Sequence, residues 1–379
     1  MKHPKIFSKF FSKKTFPAAA AFLFLAAALP AQKYNFINFN VEDGLLQSQA
    51  TSICQDKQRH LWIGTLGGVS RFNGRQFTHF TKTEGLADNH VTTLLCDRHG
   101  KIWVGSHEGV SVFDGKRFKI YRIPEKQEKN GVAHLVEDQQ GQVWALGYGQ
   151  LFLFKNDSFL PAPGLPEFEK PDGSKTVKLT SLDLDLQGSP IFSAADDGLF
   201  FLKNGRWVKQ VAFPKMPKQL VVHQVKITAA RDTLLASSNG LMVLKNNKLQ
   251  HFYPASERLK LPVFSIEEDA NGNIWTGAMP GAACLRKRQR AISQEFGLPP
   301  GDKFELLFFG EKEGFTDNWV NEIFRDAEHR LWFATEVGGV FRFNNFRFIS
   351  FDEHAGLSDP VVMGIVESQG AKFIGTGGE

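Results

Sequence analysis

Apolar and polar positions along this chain repeat as a unit, not as a helical stripe. The segment HLWIGTLGGVSRFNGRQFTHF (residues 60–80) returns as KIWVGSHEGVSVFDGKRFKIY at 101–121. Weaker copies are QVWALGYGQLFLFKNDSFL from Gln142, PIFSAADDGLFFLKNGRW from Pro190, TLLASSNGLMVLKNNKLQHF from Thr233 and NIWTGAMPGAACL from Asn273. A strong copy, RLWFATEVGGVFRFNNFRFISF, starts at Arg330, and KFIGTGGE follows at the end. The anchors are Trp62, Trp103, Trp144, Phe192, Leu235, Trp275, Trp332 and Phe373, spaced by 41, 41, 48, 43, 40, 57 and 41 residues. A period of about 40–45 matches a four-stranded propeller blade better than a helical repeat. Helical periodicity of useful length is missing after residue 31.

Each position in the unit has a physical reason. An apolar run such as VTTLLC (91–96) or VNEIF (320–324) predicts the innermost strand. An Asp stands six residues ahead of the anchor in five copies (Asp56, Asp97, Asp138, Asp269, Asp326), with Gly100, Gly141 and Gly272 following in three. That is turn chemistry: the carboxylate caps its own backbone and the Gly takes the positive φ. The anchor strand packs its large side chain between neighbouring sheets. After a short loop holding Gly68, Gly109, Gly198, Gly240 or Gly339, a third strand begins. It ends in Asn73-Gly74, Asp114-Gly115, Asn156-Asp157, Asn204-Gly205, Asn246-Asn247 or Asn344-Asn345, all two-residue hairpin signals. A fourth strand completes the unit. One blade cannot bury both faces, whereas a ring of blades buries them all and leaves short edges. The expected fold is therefore all-β: a β-propeller of four-stranded antiparallel blades, seven complete (Ser48 to Phe351) plus a partial eighth, VVMGIVESQGAKFIGT. YNFINFN (34–40) reads as an isolated fourth strand. It completes either the eighth blade or a ring closed at seven.

Composition sharpens this. The 36 Phe, 7 Trp and 35 Gly in 379 residues fit many short strands and tight turns. The formal charge of +5 is local. Lys2, Lys5, Lys9, Lys13 and Lys14 precede any acid, and without them the basic residues fall from 45 to 40, equal to the 40 acidic ones. Basicity therefore gives no argument for nucleic acid binding. Those lysines, the apolar run Phe16–Leu29 and Leu29-Pro30-Ala31 have the layout of a secretory signal peptide over 1–31, cut at Ala31–Gln32. Residues 32–379 are then the propeller, exported to the periplasm or, alternatively, the extracellular space. Cys54, Cys96 and Cys284 show no metal-site spacing. They are expected as buried free thiols. A disulfide between the adjacent central strands carrying Cys54 and Cys96 is the alternative.

The units HLWIGTLGGVSRFNGRQF and KIWVGSHEGVSVFDGKRF, with the acidic-Gly-Leu elements EDGLLQSQ (42–49), TEGLADNH (83–90), EGFTDN (313–318) and AGLSDP (355–360), resemble the two-component regulator propeller repeat. The resemblance runs from about residue 33 to the end and is strongest in repeats one, two and seven. It implies the periplasmic sensor region of a bacterial two-component system. In such systems two propellers, an immunoglobulin-like domain, a membrane helix and a histidine kinase commonly follow one another, some with a DNA-binding domain. It further implies a small-molecule or oligosaccharide ligand, often a polysaccharide breakdown product, with membrane contact only through a later segment and a homodimer in the full-length sensor. The chain stops where other copies enter their third strand, so a fragment of a longer protein is expected.

GxSxG, HExxH, P-loop and GxGxxG contexts do not occur. His60, His99 and His329 share one inter-strand turn, read as solvent-facing. Asp269-Ala-Asn271-Gly-Asn273 reads as a hairpin turn, not a calcium loop. The acid pairs Asp183/Asp185, Asp196/Asp197 and Glu267/Glu268 read as alternation or solvation, and Arg286–Arg290 as a solvated insertion. No catalytic residue, metal or cofactor is expected. Strand direction places the second-to-third-strand loops and interblade loops on one end of the ring, where functional contacts concentrate. Leu66, His107, Glu108, Tyr148, Asp196, Asp197, Ser238, Asn239, Met279 and Glu336 are the candidate ligand contacts. Tyr148 would stack on a sugar, and the acids and amides would bond its hydroxyls. Each also reads as an ordinary loop residue. A ligand-sensing propeller is the leading reading. A free-standing exported binding module and a propeller lyase or glycan-active enzyme are the alternatives.

Overall fold

A computed structural model describes residues 33–34, 36–124, 131–147, 149–166, 178–213, 219–246, 248–252, 257–287, 304–311, 314–315, 319–344, 346, 349–350, 361–368 and 371–377. The chain divides into two compact units, Tyr34–Ile349 and a second made of Met1–Lys33 with Ser350–Glu379. The expected signal peptide lies outside the described residues.

The larger unit is a seven-bladed propeller. Blade one is Ala50–Gln55, Leu61–Thr65, Gly68–Phe72 and Phe77–Phe80, paired antiparallel in chain order. Blades two to six repeat the plan, with innermost strands Val91–Cys96, Val132–Glu137, Leu179–Leu184, Val222–Ile227 and Val263–Glu268. Blade seven is Val320–Arg325, Leu331–Thr335 and Val340–Phe343, and its fourth strand is Phe36–Phe39 from the other end of the chain. Innermost strands touch their neighbours all the way round, blade seven meeting blade one. Of the two closures the sequence allowed, the ring closes at seven. The two strands of the partial eighth repeat, Val362–Ser368 and Ala371–Thr376, form a hairpin in the second unit.

The repeat pattern builds this ring through the blade interfaces. Each core cluster mixes two adjacent blades, for example Trp275 and Phe309 with Val320, Phe333 and Phe343. A buried indole needs an acceptor for its N–H, and the Asp six residues earlier supplies it. Trp62, Trp103, Trp144, Trp275 and Trp332 Nε1 donate to Asp56, Asp97, Asp138, Asp269 and Asp326 at 2.9, 2.8, 2.8, 3.1 and 2.8 Å. The other carboxylate oxygen accepts two backbone N–H groups of its own turn. In blade four the register puts Ile191, not the expected Phe192, at the anchor place, six residues after Asp185; it has no N–H, and Asp185 keeps only the two turn bonds. In blade five the register puts Leu234, not the expected Leu235, at that place, and Thr228 caps the turn instead. The acidic-Gly-Leu elements are also explained. Asn40 and Thr81 cap short 3-10 turns reciprocally with Asp43 and Glu84, and Gly44 and Gly85 take a left-handed φ. Leu45, Leu86 and Phe315 thereby plug the core.

The channel side of each innermost strand is a sheet edge with unpaired amides. The preceding blade covers them with side chains. Leu94, Val225, Ile266, Ile323 and Ile53 N donate to Ser52 Oγ, Asp183 Oδ2, Gln224 Oε1, Ser265 Oγ and Glu322 Oε2 at 3.0, 2.9, 2.7, 3.0 and 2.8 Å. Burial pushes the Glu322 and Asp183 carboxyls up to about 7, against the lowering effect of these bonds. The sign follows. Between the ordinary value of 4.5 and about 7 the folded state holds the Glu322 proton and the unfolded chain does not. Stability from this group is therefore lost as pH rises through that window. Relative to Glu322→Gln, which keeps the acceptor, the native protein should lose roughly 1–3 kcal/mol between those limits. Urea midpoints of both proteins across the window check this, and a flat difference would contradict it.

Two expectations need correction. Cys54 and Cys96 are not free thiols. They form a disulfide between the innermost strands of blades one and two, whose Cα atoms stand 5.8 Å apart. Cys284 is free and buried. Glu267 and Glu268 are buried, not solvated. Glu267 pairs with Lys226 at 2.7 Å and Arg325 at 3.6 Å, and Glu268 accepts the Ala229 amide at 2.7 Å. Of the basic run, Arg286 and Lys287 belong to the third strand of blade six, Ala282–Lys287, where Arg286 pairs with Glu305 of the fourth strand at 2.6 Å, and residues 288–303 lie outside the described set.

Candidate ligand-binding site

Innermost strands run from the loop end to the turn end, so the second-to-third-strand loops and the interblade segments share the loop end. These loops are held rigidly. Leu66, Ala195, Ser238 and Glu336 N donate to the carbonyls of Gln49, Lys178, Val221 and Trp319, each just ahead of its own blade's innermost strand, at 3.2, 3.0, 2.9 and 3.1 Å. The hydroxyl ending the second strand closes the loop: Thr65, Ser106, Ser237 and Thr335 donate to the carbonyls of Gly68, Gly109, Gly240 and Gly339 at 2.8–2.9 Å. Glycine is required where the third strand starts. At Gly68, with φ of +138°, a Cβ would stand 2.5 Å from the Phe80 carbonyl oxygen.

The ten candidate contacts are spread round the rim, and several are committed to structural bonds. Asp196 accepts the Leu220 amide at 3.1 Å, and Asp197 pairs with Lys209 at 2.5 Å. Ser238 Oγ accepts the Val221 amide, and the Asn239 amide donates to Ser237 Oγ. Leu66 is half-buried. Glu108 pairs with Lys82 at 3.5 Å, both exposed. Tyr148 lies outside the described residues. Two groupings remain.

The first spans blades seven, one and two. Glu336 accepts from Gln49 Nε2 at 3.3 Å and Asn321 Nδ2 at 3.0 Å, and Asn321 also donates to the Ala50 carbonyl. Beside it, His107 stacks on His90 with ring centres 4.0 Å apart. Burial, and then the neighbouring His107, hold His90 below the ordinary imidazole value, against the opposing pull of Asp88 and Glu336. The second grouping was not anticipated. His223, Phe264 and Trp319 form a continuous aromatic shelf, with centres 5.1 Å and then 5.2 Å apart, the last pair stacked at 18°. Trp319 is 37% exposed, with Met279 at 51% and Val337 at 71% on the neighbouring loops. Burial keeps His223 below its ordinary value. His134, buried on blade three and influenced by His223, is lowered to about 4. The groupings adjoin, because the Trp319 carbonyl accepts the Glu336 amide. The signal in the sequence was the second residue of each innermost strand. It is Thr, Ala or Asn in five blades but His223 and Phe264 in blades five and six. The described residues hold no cluster of three or more His, Cys, Asp or Glu able to bind a metal.

Comparison with known proteins places this architecture. Residues 44–67 and 85–108 match the model of the two component regulator propeller family. Over 58 residues it is 47% identical to the Histidine kinase P4 of Formosa agariphila, covering 15% of this chain and 4% of that protein. An extracellular domain assigned to a hybrid two-component system of B. thetaiotaomicron superposes with a TM-score of 0.68 at 20% identity, covering 91% of this chain and 47% of that one. Virginiamycin B lyase from Staphylococcus aureus gives 0.59 at 14% identity, covering 82% of this chain and 98% of the lyase. At these identities the structural likenesses concern the fold. The chain spans about half the length of the two-component extracellular domain.

Proposed function

We propose that this chain is a ligand-sensing propeller of a two-component system, exported to the periplasm, and that its ligand binds on the loop end across blades five to two. The carrying observation is the His223–Phe264–Trp319 shelf beside the Asn321–Glu336–Gln49 amide-carboxylate group. A flat apolar face next to hydrogen-bonding groups suits the face and hydroxyls of a sugar ring, and a short oligosaccharide is the ligand class favoured here. Recognition without turnover fits best, because the loop-end acids Asp196, Asp197 and Glu336 are already engaged by partners within the protein. Kinase output and dimerisation belong to the longer systems that this chain resembles. Titration calorimetry against a panel of oligosaccharides tests the reading. Trp319→Ala should weaken a hit at least tenfold, about 1–3 kcal/mol for one lost stacking partner, with an unchanged urea midpoint. Undiminished binding by the variant, or conversion of the sugar on prolonged incubation, would count against it.

A further inference from the structure

Blade two fastens its loop differently from its neighbours. In blades one, four, five and seven the first amide after the second strand donates to the carbonyl just ahead of the innermost strand. These bonds run from Leu66 to Gln49, Ala195 to Lys178, Ser238 to Val221 and Glu336 to Trp319, at 2.9–3.2 Å. The strand register of blade two, Val91 opposite Ser106, matches that of blade one, Ala50 opposite Thr65. The same count therefore sets His107 against His90. Among the described residues that backbone bond is absent. Two imidazoles stand there instead, stacked with ring centres 4.0 Å apart and planes 23° from parallel. In no other blade are both places histidine. The loop tip is closed only on itself, by Ser106 Oγ donating to the Gly109 carbonyl at 2.9 Å.

We propose that the His90–His107 stack is a proton-operated latch, which holds the blade-two loop closed while both rings are neutral and releases it as they charge in mildly acidic solution. Imidazole is the side chain whose charge changes in that range. Two cations held face to face at this distance repel strongly. The charged groups facing the pair set the order of events. Asp88 on the interblade segment and Glu336 on the blade-seven loop favour a proton on His90. Burial and His107 oppose it and prevail, so His90 lies below its ordinary value of 6.5. On the blade-two loop itself, Glu108 is paired with Lys82 at 3.5 Å, both exposed. The sign follows. Released rings take up protons more readily than stacked ones, so the closed loop is favoured above the ordinary value and loses that advantage as pH falls. The loops tethered by a backbone bond carry no such dependence. Glu336, which faces His90, also accepts from Gln49 and Asn321. Release would free a charged His90 to pair with Glu336 and remodel the blade-two end of the proposed ligand site. That consequence rests on the ligand-site reading; the latch does not.

Hydrogen exchange of the full chain without sugar, at pH 7.5 and pH 5.5 and corrected for the intrinsic rate, tests the latch. Protection of residues 106–110 should fall roughly tenfold at the lower pH, whereas residues 65–68, the same loop in blade one, should change by no more than about twofold. His90→Phe/His107→Phe keeps two stacked rings and removes both proton sites. In that variant the two loops should respond alike. A native 106–110 segment that does not loosen, or that loosens only as much as 65–68, would overturn the proposal. So would a pH response that survives in the double variant. If the variant fails to fold, the two loops of the native protein decide alone. Because no sugar is present, failure here leaves the aromatic-shelf reading standing, and sugar binding indifferent to Trp319→Ala would leave the latch standing.

Discussion

Asp326→Ala should cost about 3–5 kcal/mol, whereas Asp185→Ala, at the same place in blade four, should cost about 1 kcal/mol. The contrast comes from the anchor and not from the turn. Asp326 accepts the Trp332 indole at 2.8 Å, the Arg330 guanidinium at 2.7 Å and two turn amides. Removing it leaves the buried indole N–H without a partner, which carries the full desolvation penalty, and takes from Arg330 one of its two carboxylates, Glu328 at 3.0 Å remaining. In blade four the anchor place is held by Ile191, which has no N–H, and Asp185 serves only two turn amides. Asp326→Asn should fall between, because it retains one acceptor. Urea unfolding of the three variants at constant pH gives the comparison. Equal losses at Asp326 and Asp185 would show that the indole bond adds nothing to the turn.

The second large effect concerns the disulfide. Cys54 and Cys96 are 42 residues apart in sequence, and a bridge over such a loop contributes about 2–4 kcal/mol. Cys54→Ser/Cys96→Ser should lower stability by that amount, and reductant should destabilise the native protein equally while leaving the variant unchanged. Thiol counting gives an independent check. Cys284 is buried, and burial pushes its thiol up, so the folded protein should resist alkylation. One thiol should react in urea and three in urea with reductant. Three reactive thiols without reductant would contradict the bridge.

The fold was legible in the sequence because the period is local. Every blade except the seventh is built from consecutive strands, so the hairpin signals and the anchor spacing determine it. Closure was less legible, because pairing Phe36–Phe39 with Val340–Phe343 joins segments some 300 residues apart and depends on which edge is free. The Cys54–Cys96 bridge stood only as the alternative to free thiols for a similar reason: it depends on the stagger between blades one and two, which a repeat alignment does not contain. For the candidate site, strand direction assigns the ten candidates to the loop end, and His223, Phe264 and Trp319 are not among them. Asp196 and Ser238 look available in sequence, yet Asp196 Oδ1 and Ser238 Oγ each accept a neighbouring amide. Phe264 looks like a core residue of an apolar strand, yet a bulge between Val263 and Ser265 turns it out of the blade interface toward Trp319.

The claim that this propeller reads its ligand from the loop end is tested most directly by hydrogen exchange with and without a bound oligosaccharide. Protection should appear in the segments around 221–224, 261–264, 319–321 and 336–339. The Asp-capped turns at 56–60, 97–101 and 326–330 should exchange as before. Protection confined to those turns, or to the outer strands, would place the ligand elsewhere and contradict the account.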